Sequence, residues 1–206
     1  MGHAMTKPDE AASAEKRAAN DRNAGDPAHR PHLHAVPRRP VEASPNGFDP
    51  AIDGRAFRDA LGCFATGVTV VTVDTPDGPV GITANSFASV SLDPPLVLWS
   101  IDRASSRYDV FASAEHSAIH VLGEGQRDLA MAFVREARAF KPGWRTGVAG
   151  VPLLEGTLAR FECQHHATHD GGDHAILVSR VIHAERGVGT PLVFSQGKFG
   201  SVDGSR

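Results

Sequence analysis

The chain has 206 residues, 41% apolar and 22% charged, with Lys+Arg 21 against Asp+Glu 24 for a formal net charge of −3. That length supports one domain with an appendage or two very small domains, and the charge balance offers no basic stripe for a nucleic acid. No run approaches the ~20 consecutive apolar residues of a membrane span, Met1-Gly2-His3-Ala4-Met5 lacks the apolar core of a signal peptide, and Cys63 and Cys163 are too few for a disulfide framework or a four-thiolate zinc site. A soluble protein of the reducing cytoplasm is expected.

Composition changes at Phe48. Residues 1–47 contain no aromatic residue, whereas the 10 Phe, 2 Trp and 1 Tyr all lie between Phe48 and Phe199. The same segment carries 6 of the 14 prolines and only five large apolar residues, Met1, Met5, Leu33, Val36 and Val41. It cannot bury enough surface to offset an ordering entropy of about 1–2 kcal/mol per residue. A disordered tail is therefore expected over 1–47, and its His29, His32 and His34, set among Pro and Arg, are not read as a metal site. Residues 48–206 then form a single domain, long enough for a proper core.

Asp53 can cap a helix over 54–64, with Phe57, Leu61 and Phe64 as its buried stripe and Cys63 beside that stripe in the core. Val68 to Val73 is β-branched throughout and reads as a strand. Asp74 to Pro79 is a turn by residue chemistry, and Val80 to Thr83 returns as a second strand. Pro94-Pro95 precedes a strand over Leu96 to Ile101. Ser105 to Ala114 is predicted as a short helix, Ala118 to Leu122 as a strand, and Gln126 to Ala137 as a helix with Leu129 and Phe133 one turn apart. Strands follow around Leu158–His166 and His174–Ala184, joined by a loop holding Gly171-Gly172-Asp173, and a last one spans Leu192–Phe194. Strands outnumber helices without regular alternation, which argues for a mainly β fold, an antiparallel barrel or sandwich with flanking helices.

Two chemistries are suggested and set aside. Leu122-Gly123-Glu124-Gly125-Gln126-Arg127-Asp128 follows a strand and opens a helix as a dinucleotide fingerprint would. However, Asp128 replaces the third glycine, and Glu124 and Asp128 would set carboxylates beside a pyrophosphate. It reads as a plain turn. His165, His166, His169, Asp170, Asp173 and His174 crowd into ten residues, but His165 and His166 would face opposite sides of a strand and no HExxH is present, so they read as a polar hairpin edge. No metal site is expected, and no nucleophile elbow is present.

The informative stretch is Gly81 to Pro95. Thr83, Asn85, Ser86, Ser89 and Ser91 supply neutral donors directly after a strand, suited to a phosphate or a polar heterocycle. Ser100-Ile101-Asp102-Arg103-Ala104-Ser105-Ser106-Arg107 adds hydroxyls and two cations at an expected helix start, where the dipole favours a phosphate. On composition alone, a pair of Ser-rich turns explains these residues equally well.

Ordered pieces resolve that ambiguity. Phe-Arg-x-Ala-Leu-Gly-x-Phe-x-Thr-Gly-Val-Thr-Val-Val-Thr (57–72) and Gly-Ile-Thr-Ala-Asn-Ser-Phe-x-Ser-Val-Ser-Leu-Asp-Pro-Pro-Leu-Val-Leu (81–98) come first. Ile101-Asp102-Arg103-x-Ser105-x-Arg107, Gly150-Val151-Pro152-x-Leu154-Glu155-Gly156 and His169-Asp170-Gly171-Gly172-Asp173-His174-Ala175-Ile176 follow in register. Together they resemble the flavin reductase domain of two-component flavin-dependent monooxygenases, over about Phe57 to Phe199.

The resemblance implies a split antiparallel β-barrel with flanking helices, a homodimer, and reduction of FMN or FAD by NADH or NADPH through hydride transfer to flavin N5. Reduced flavin would then pass to a partner oxygenase. It places Thr83, Ala84, Asn85 and Ser86 along the isoalloxazine and ribityl chain, and Ser89, Ser100, Ile101, Asp102 and Ser106 along the ribityl and phosphate. Phe140 falls in a segment lining the flavin, and Gly172, Asp173 and His174 match the nicotinamide motif, with His174 beside the hydride-donating face. This chain departs from the family pattern at Phe194-Ser195-Gln196-Gly197-Lys198-Phe199, where tyrosines are usual, at Ser179, where a glycine is common, and in a shorter 138–144 segment. FMN against FAD, NADH against NADPH, and the oxygenase and its substrate stay open. A flavin-binding electron carrier or sensor of the same fold, without nicotinamide turnover, is the alternative.

Overall fold

The β-branched run after Gly67 becomes the centre of the molecule. The computed structural model describes residues 46–142 and 144–202. A helix, α1 (Gly54–Gly62), leads into β1 (Thr66–Gly67), β2 (Thr69–Val73), β3 (Val80–Ala84), β4 (Ala88–Leu92) and β5 (Pro95–Asp102). Then come α2 (Tyr108–Ala112), β6 (His116–Val121), a 3-10 turn at Glu124–Gln126 and α3 (Arg127–Arg135). The chain ends with β7 (Arg145–Thr146), β8 (Pro152–Leu153), the long pair β9 (Ala159–Gly171) and β10 (His174–Arg186), β11 (Leu192–Ser195) and β12 (Lys198–Ser201).

Seven antiparallel strands pair in the order β3-β2-β6-β9-β10-β5-β4, while β1-β11-β12 and β7-β8 form smaller sheets. Since β3 and β4 do not pair, the large sheet curls without closing, which makes the barrel a split one. All five residues of β2 are buried. Strand alternation sends Val71 and Val73 into one cluster with Trp99, Ile101, Phe111, Ile119 and Leu177, and Val70 into a second with Leu122, Ala130, Phe133 and Leu192. Each fully buried large side chain contributes roughly 1.5–3 kcal/mol. Gly81 lets α3 approach the sheet, since a Cβ there would stand 2.5 Å from the Phe133 ring.

Several expectations need correction. Asp53 caps α1 by accepting the Ala56 N–H at 2.9 Å, but the helix stops at Gly62 and contains no buried residue. Phe57, Leu61 and Phe64 are 43%, 59% and 79% exposed, and Cys63 is exposed rather than in the core. The apolar spacing is real, yet periodicity does not say which body covers the face. Within this chain α1 is tethered at its last turn, through Gln196 N–H and Ser195 Oγ to the Gly62 carbonyl, and its stripe is left open. The helix expected over 105–114 shrinks to α2, and the strands β1, β4, β7, β8 and β12 were not anticipated. The 1–47 tail, with His29, His32 and His34, lies outside the described residues apart from Asn46 and Gly47, and Phe48–Arg206 forms a unit of its own.

Candidate active site

Three strand ends converge where the Ser- and Asn-bearing segment leaves β3. Thr69 Oγ1 donates to the Ala84 carbonyl at 2.8 Å and holds the end of β3 against β2. Ser86 Oγ then donates to the Ser100 carbonyl (3.0 Å) and accepts the Ser100 N–H (2.9 Å). This reciprocal pair joins the exit of β3 to β5, two strands that the sheet order leaves apart. Farther along β5, Asp102 stands opposite His174 of β10, and the Arg103 N–H donates to the Asp173 carbonyl at 3.0 Å. Asn85, Ser86, Ser100, Asp102, Asp173 and His174 therefore follow one another along one rim.

Alternation on β5 puts Trp99 and Ile101 in the core and turns Ser100 and Asp102 the other way. Ile101 thus offers a ligand only its main chain. The hydroxyls divide into two groups. Thr83 Oγ1 donates to the Ala130 carbonyl of α3 at 2.6 Å, and Ser86 bonds Ser100, so both fasten the scaffold. Asn85, Ser89 and Ser106 are exposed, with side chains unpartnered among the described residues. Their donors remain open to a ligand.

Gly172 and Asp173 form the two-residue turn between β9 and β10, with His174 opening β10, and Gly172 takes a φ of 78° that only glycine adopts freely. Arg103, just past the end of β5, fixes this turn: Nε donates to the Gly172 carbonyl (3.3 Å), Nη2 to Asp170 (2.9 Å) and Nη1 to the Tyr108 hydroxyl (3.1 Å). His174 Nδ1–H donates to Asp173 Oδ1 at 2.8 Å. That bond holds the Asp173 carboxyl below the usual carboxylate range, and it turns the other ring nitrogen of the half-exposed His174 outward.

The helix-dipole argument for a phosphate at the following turn does not carry over, though the open donors there remain. Asp102 Oδ1 accepts the Ala104 N–H at 2.7 Å, Ser105 and Ser106 precede α2, and α2 has only five residues, too few for an effective dipole. Both cations are engaged: Arg103 as above, and Arg107 with the carbonyls of Gly81, Phe133 and Val134. Burial lowers the pKa of Arg107 from its ordinary value. Arg138, at the start of the segment that follows α3, likewise donates to a main-chain group, the Asp77 carbonyl at 2.7 Å.

Phe140 is half-buried, edge-on to Phe133 (5.0 Å) and to Trp144 (6.0 Å), on the α3 side of β3. Sequence reasoning missed a cavity of about 730 Å³ between α1 and the β11–β12 turn, lined by Arg58, Leu61, Cys63, Phe64, Thr66, Phe194 and Gln196 together with Asn85. Of the cofactor-binding residues expected from sequence, Asn85 alone lines it. The Gln196-Gly197 pair between Phe194 and Phe199 was a readable hairpin signal. The Thr66 hydroxyl, buried and unpartnered, could not be read from sequence. This volume lies within the range of small-molecule sites, and the apolar walls with an open amide at the mouth suit a planar polar heterocycle, so the residues present fit a flavin. Among the described residues no group of His, Cys, Asp or Glu is placed to hold a metal ion, and Gly123 to Gln126 is a plain turn closed by Gln126 Oε1 on the Gly123 N–H at 2.9 Å.

A split barrel with this rim defines a class that comparison with known proteins names. Residues 61–203 match the flavin reductase like domain, and the chain belongs to that family. It is 56% identical over 149 residues to the FMN reductase (NADH) SmoA of Agrobacterium fabrum, covering 72% of this chain and 86% of that protein. It is 49% identical over 130 residues to the reductase component of the flavin-dependent trigonelline monooxygenase of Acinetobacter baylyi, covering 62% of this chain but only 42% of that longer protein. Among solved structures, the NADH:FAD oxidoreductase SgcE6 of Streptomyces globisporus, in complex with NAD and FAD fragments, superposes with a TM-score of 0.72 at 38% identity, covering 77% of this chain and 99% of that one.

Proposed function

We propose that this chain is an NAD(P)H:flavin oxidoreductase that reduces FMN or FAD and supplies reduced flavin to a partner monooxygenase. Its 56% identity over 86% of an NADH-dependent FMN reductase carries the reading. When bound, the nicotinamide supplies a hydride to flavin N5, chemistry that belongs to the cofactors. The chain's own residues bind, orient and exclude water. Asn85 and the main chain of 83–86 meet the ring and ribityl chain, Ser89, Ser106, Asp102 and the main chain around Ser100 and Ile101 the ribityl and phosphate, and Phe140 packs nearby. Gly172, Asp173 and His174 seat the nicotinamide, and His174 positions it rather than exchanging a proton.

A homodimer and a cytoplasmic location complete the proposal. The open stripe of Phe57 and Leu61 on α1, continued by Phe64 just past its end, is what a second copy would cover, and two free thiols suit a reducing compartment. No described helix is long and apolar enough to cross a membrane.

The test is NADH and NADPH oxidation with FMN, FAD or no added flavin. Oxidation that requires added flavin is expected and names both cofactors; flavin binding without oxidation by either nucleotide would leave an electron carrier or sensor instead. Asn85→Ala should weaken flavin binding by about three- to tenfold, measured by fluorescence titration. Sedimentation equilibrium reads the oligomeric state, with a monomer at all concentrations overturning the dimer.

A further inference from the structure

One wall of the cavity between α1 and the β11–β12 turn carries an amide with almost no bond of its own. Gln196 and Gly197 are the two central residues of that turn, with Ser195 paired to Lys198 across it. Both take positive φ, 48° and 76°, as the tight hairpin turn that matches the twist of its strands requires. Asn, Asp or Gly is the usual choice at the first of these positions, because other side chains are strained in the left-handed region. Gln196 is the sole non-glycine residue at positive φ among the described residues. The turn alone would be closed better by Asn or Gly, so it does not explain the glutamine.

Its surroundings supply a reason. The Gln196 N–H donates to the Gly62 carbonyl at 2.8 Å, and the Ser195 hydroxyl donates to the same oxygen at 3.2 Å. The backbone of the turn is thereby pinned to the end of α1, and Gln196 lines the cavity beside Leu61, Phe64 and Phe194. Its Nε2 reaches only the Cys63 thiol, at 3.7 Å, and a thiol is a weak acceptor. Its Oε1 accepts nothing among the described residues. A donor and an acceptor therefore stand side by side, on an anchored backbone, at an apolar cavity of about 730 Å³. The charged residues of the same cavity differ in kind: Arg58 only donates, and an ionised Asp59 only accepts.

The pyrimidine edge of an isoalloxazine presents an acceptor, a donor and an acceptor in turn, at C2=O, N3–H and C4=O. A primary amide can match one neighbouring donor–acceptor pair of that edge with two hydrogen bonds, whereas a guanidinium or a carboxylate sets like against like at one of the two. We propose that Gln196 is a specificity-determining residue for the flavin, its Oε1 accepting from N3–H and its Nε2 donating to an adjacent ring carbonyl. The inference rests on the flavin reading of this cavity and adds to Asn85 a second, opposing contact from the β11–β12 turn. The strained φ of Gln196 is retained for the reach of its side chain, as strain at a site is kept where the site uses it.

The experiment uses the full chain without nicotinamide and pairs thermal unfolding with fluorescence titration of FMN and of 3-methyl-FMN, in which a methyl group replaces the N3 hydrogen. Gln196→Gly and Gln196→Asn both suit the turn better, so their unfolding midpoints should equal or exceed the native one. Their FMN affinity should nevertheless fall about tenfold, the loss of two hydrogen bonds. The native chain should bind 3-methyl-FMN about tenfold less tightly than FMN, and Gln196→Gly should bind the two alike. Native FMN affinity in both variants, a discrimination against 3-methyl-FMN that survives in Gln196→Gly, or a lowered midpoint in both variants would each overturn the inference and leave the flavin reading standing. A native chain that binds no FMN would overturn that reading, and the inference with it.

Discussion

The two ends of the β9–β10 hairpin use polar residues in opposite ways. Near Ala159 and Arg186, His120, Arg160 and Glu162 are all buried. His120 Nδ1–H donates to the Val70 carbonyl at 3.0 Å while Nε2 accepts the Leu154 N–H at 3.1 Å, and Glu162 Oε2 accepts the Ala149 N–H at 2.9 Å. There the polar groups are fasteners between β2, β6, β9 and the loops beside β8. At the turn end, Asp173 and the half-exposed His174 bond each other and leave their remaining valences to water. The same residue type is architectural where both ring nitrogens are committed and available for binding where only one is.

The largest effect should come from the closed end. His120→Ala leaves the Val70 carbonyl and the Leu154 N–H unpartnered in a dry site and opens a void, for a loss of about 3–5 kcal/mol in urea unfolding. An equally large loss from His174→Ala would erase the contrast between the two ends. Next comes acid sensitivity. Burial, with Arg160 adding to it, lowers the pKa of His120 to about 4 despite the opposing bond to Val70. The unfolded chain, with an ordinary histidine, binds the proton first, so stability is full above the ordinary value and falls as pH drops from about 6.5 towards 4, by roughly 3 kcal/mol. His120→Gln, which keeps a donor and an acceptor, should flatten that part of the pH–stability curve; an unchanged slope would assign it elsewhere.

Legibility in the sequence followed the same division. Thr69–Val73 was readable because burial on both faces demands a β-branched run, and Pro95–Asp102 because a short apolar run follows the Pro94-Pro95 pair. The two-residue turn at Gly172-Asp173 was readable from its glycines. Ala88–Leu92 was not, although Ala88, Val90 and Leu92 alternate with Ser89 and Ser91, because its serines suit a ligand-binding turn equally well and its apolar side chains are left exposed. The site residues came from ordered motifs, not from composition, and what those motifs could not convey was how donors are committed. Nothing in the order of letters says that Ser86 bonds Ser100, or that Arg107 is bound to three carbonyls. The exposure of Phe57, Leu61 and Phe64 was hidden for another reason: an amphipathic stripe records that a face is to be covered, not by which chain.

Smaller effects belong to the open end, and they fall on function more than on stability. His174→Ala should raise the nicotinamide KM by about tenfold, the loss of one positioning bond, with kcat at saturating nicotinamide little changed. A fall in kcat with unchanged KM would show that His174 acts in the reacting step instead. Weakest in stability is Arg103→Ala. Its ion pair with Asp170 is 40% and 84% exposed, and such pairs contribute about 0–1 kcal/mol. Yet Arg103 is the only described side chain that bonds the Gly172 carbonyl, and it does so from the turn that follows β5. Its removal should leave thermal unfolding almost unmoved while loosening the turn, which raises the nicotinamide KM and leaves flavin affinity intact. Combining it with His174→Ala separates the alternatives: if Arg103 acts through the orientation of His174, the double variant is no worse than His174→Ala alone, whereas additive losses would mean that Arg103 serves the nucleotide directly.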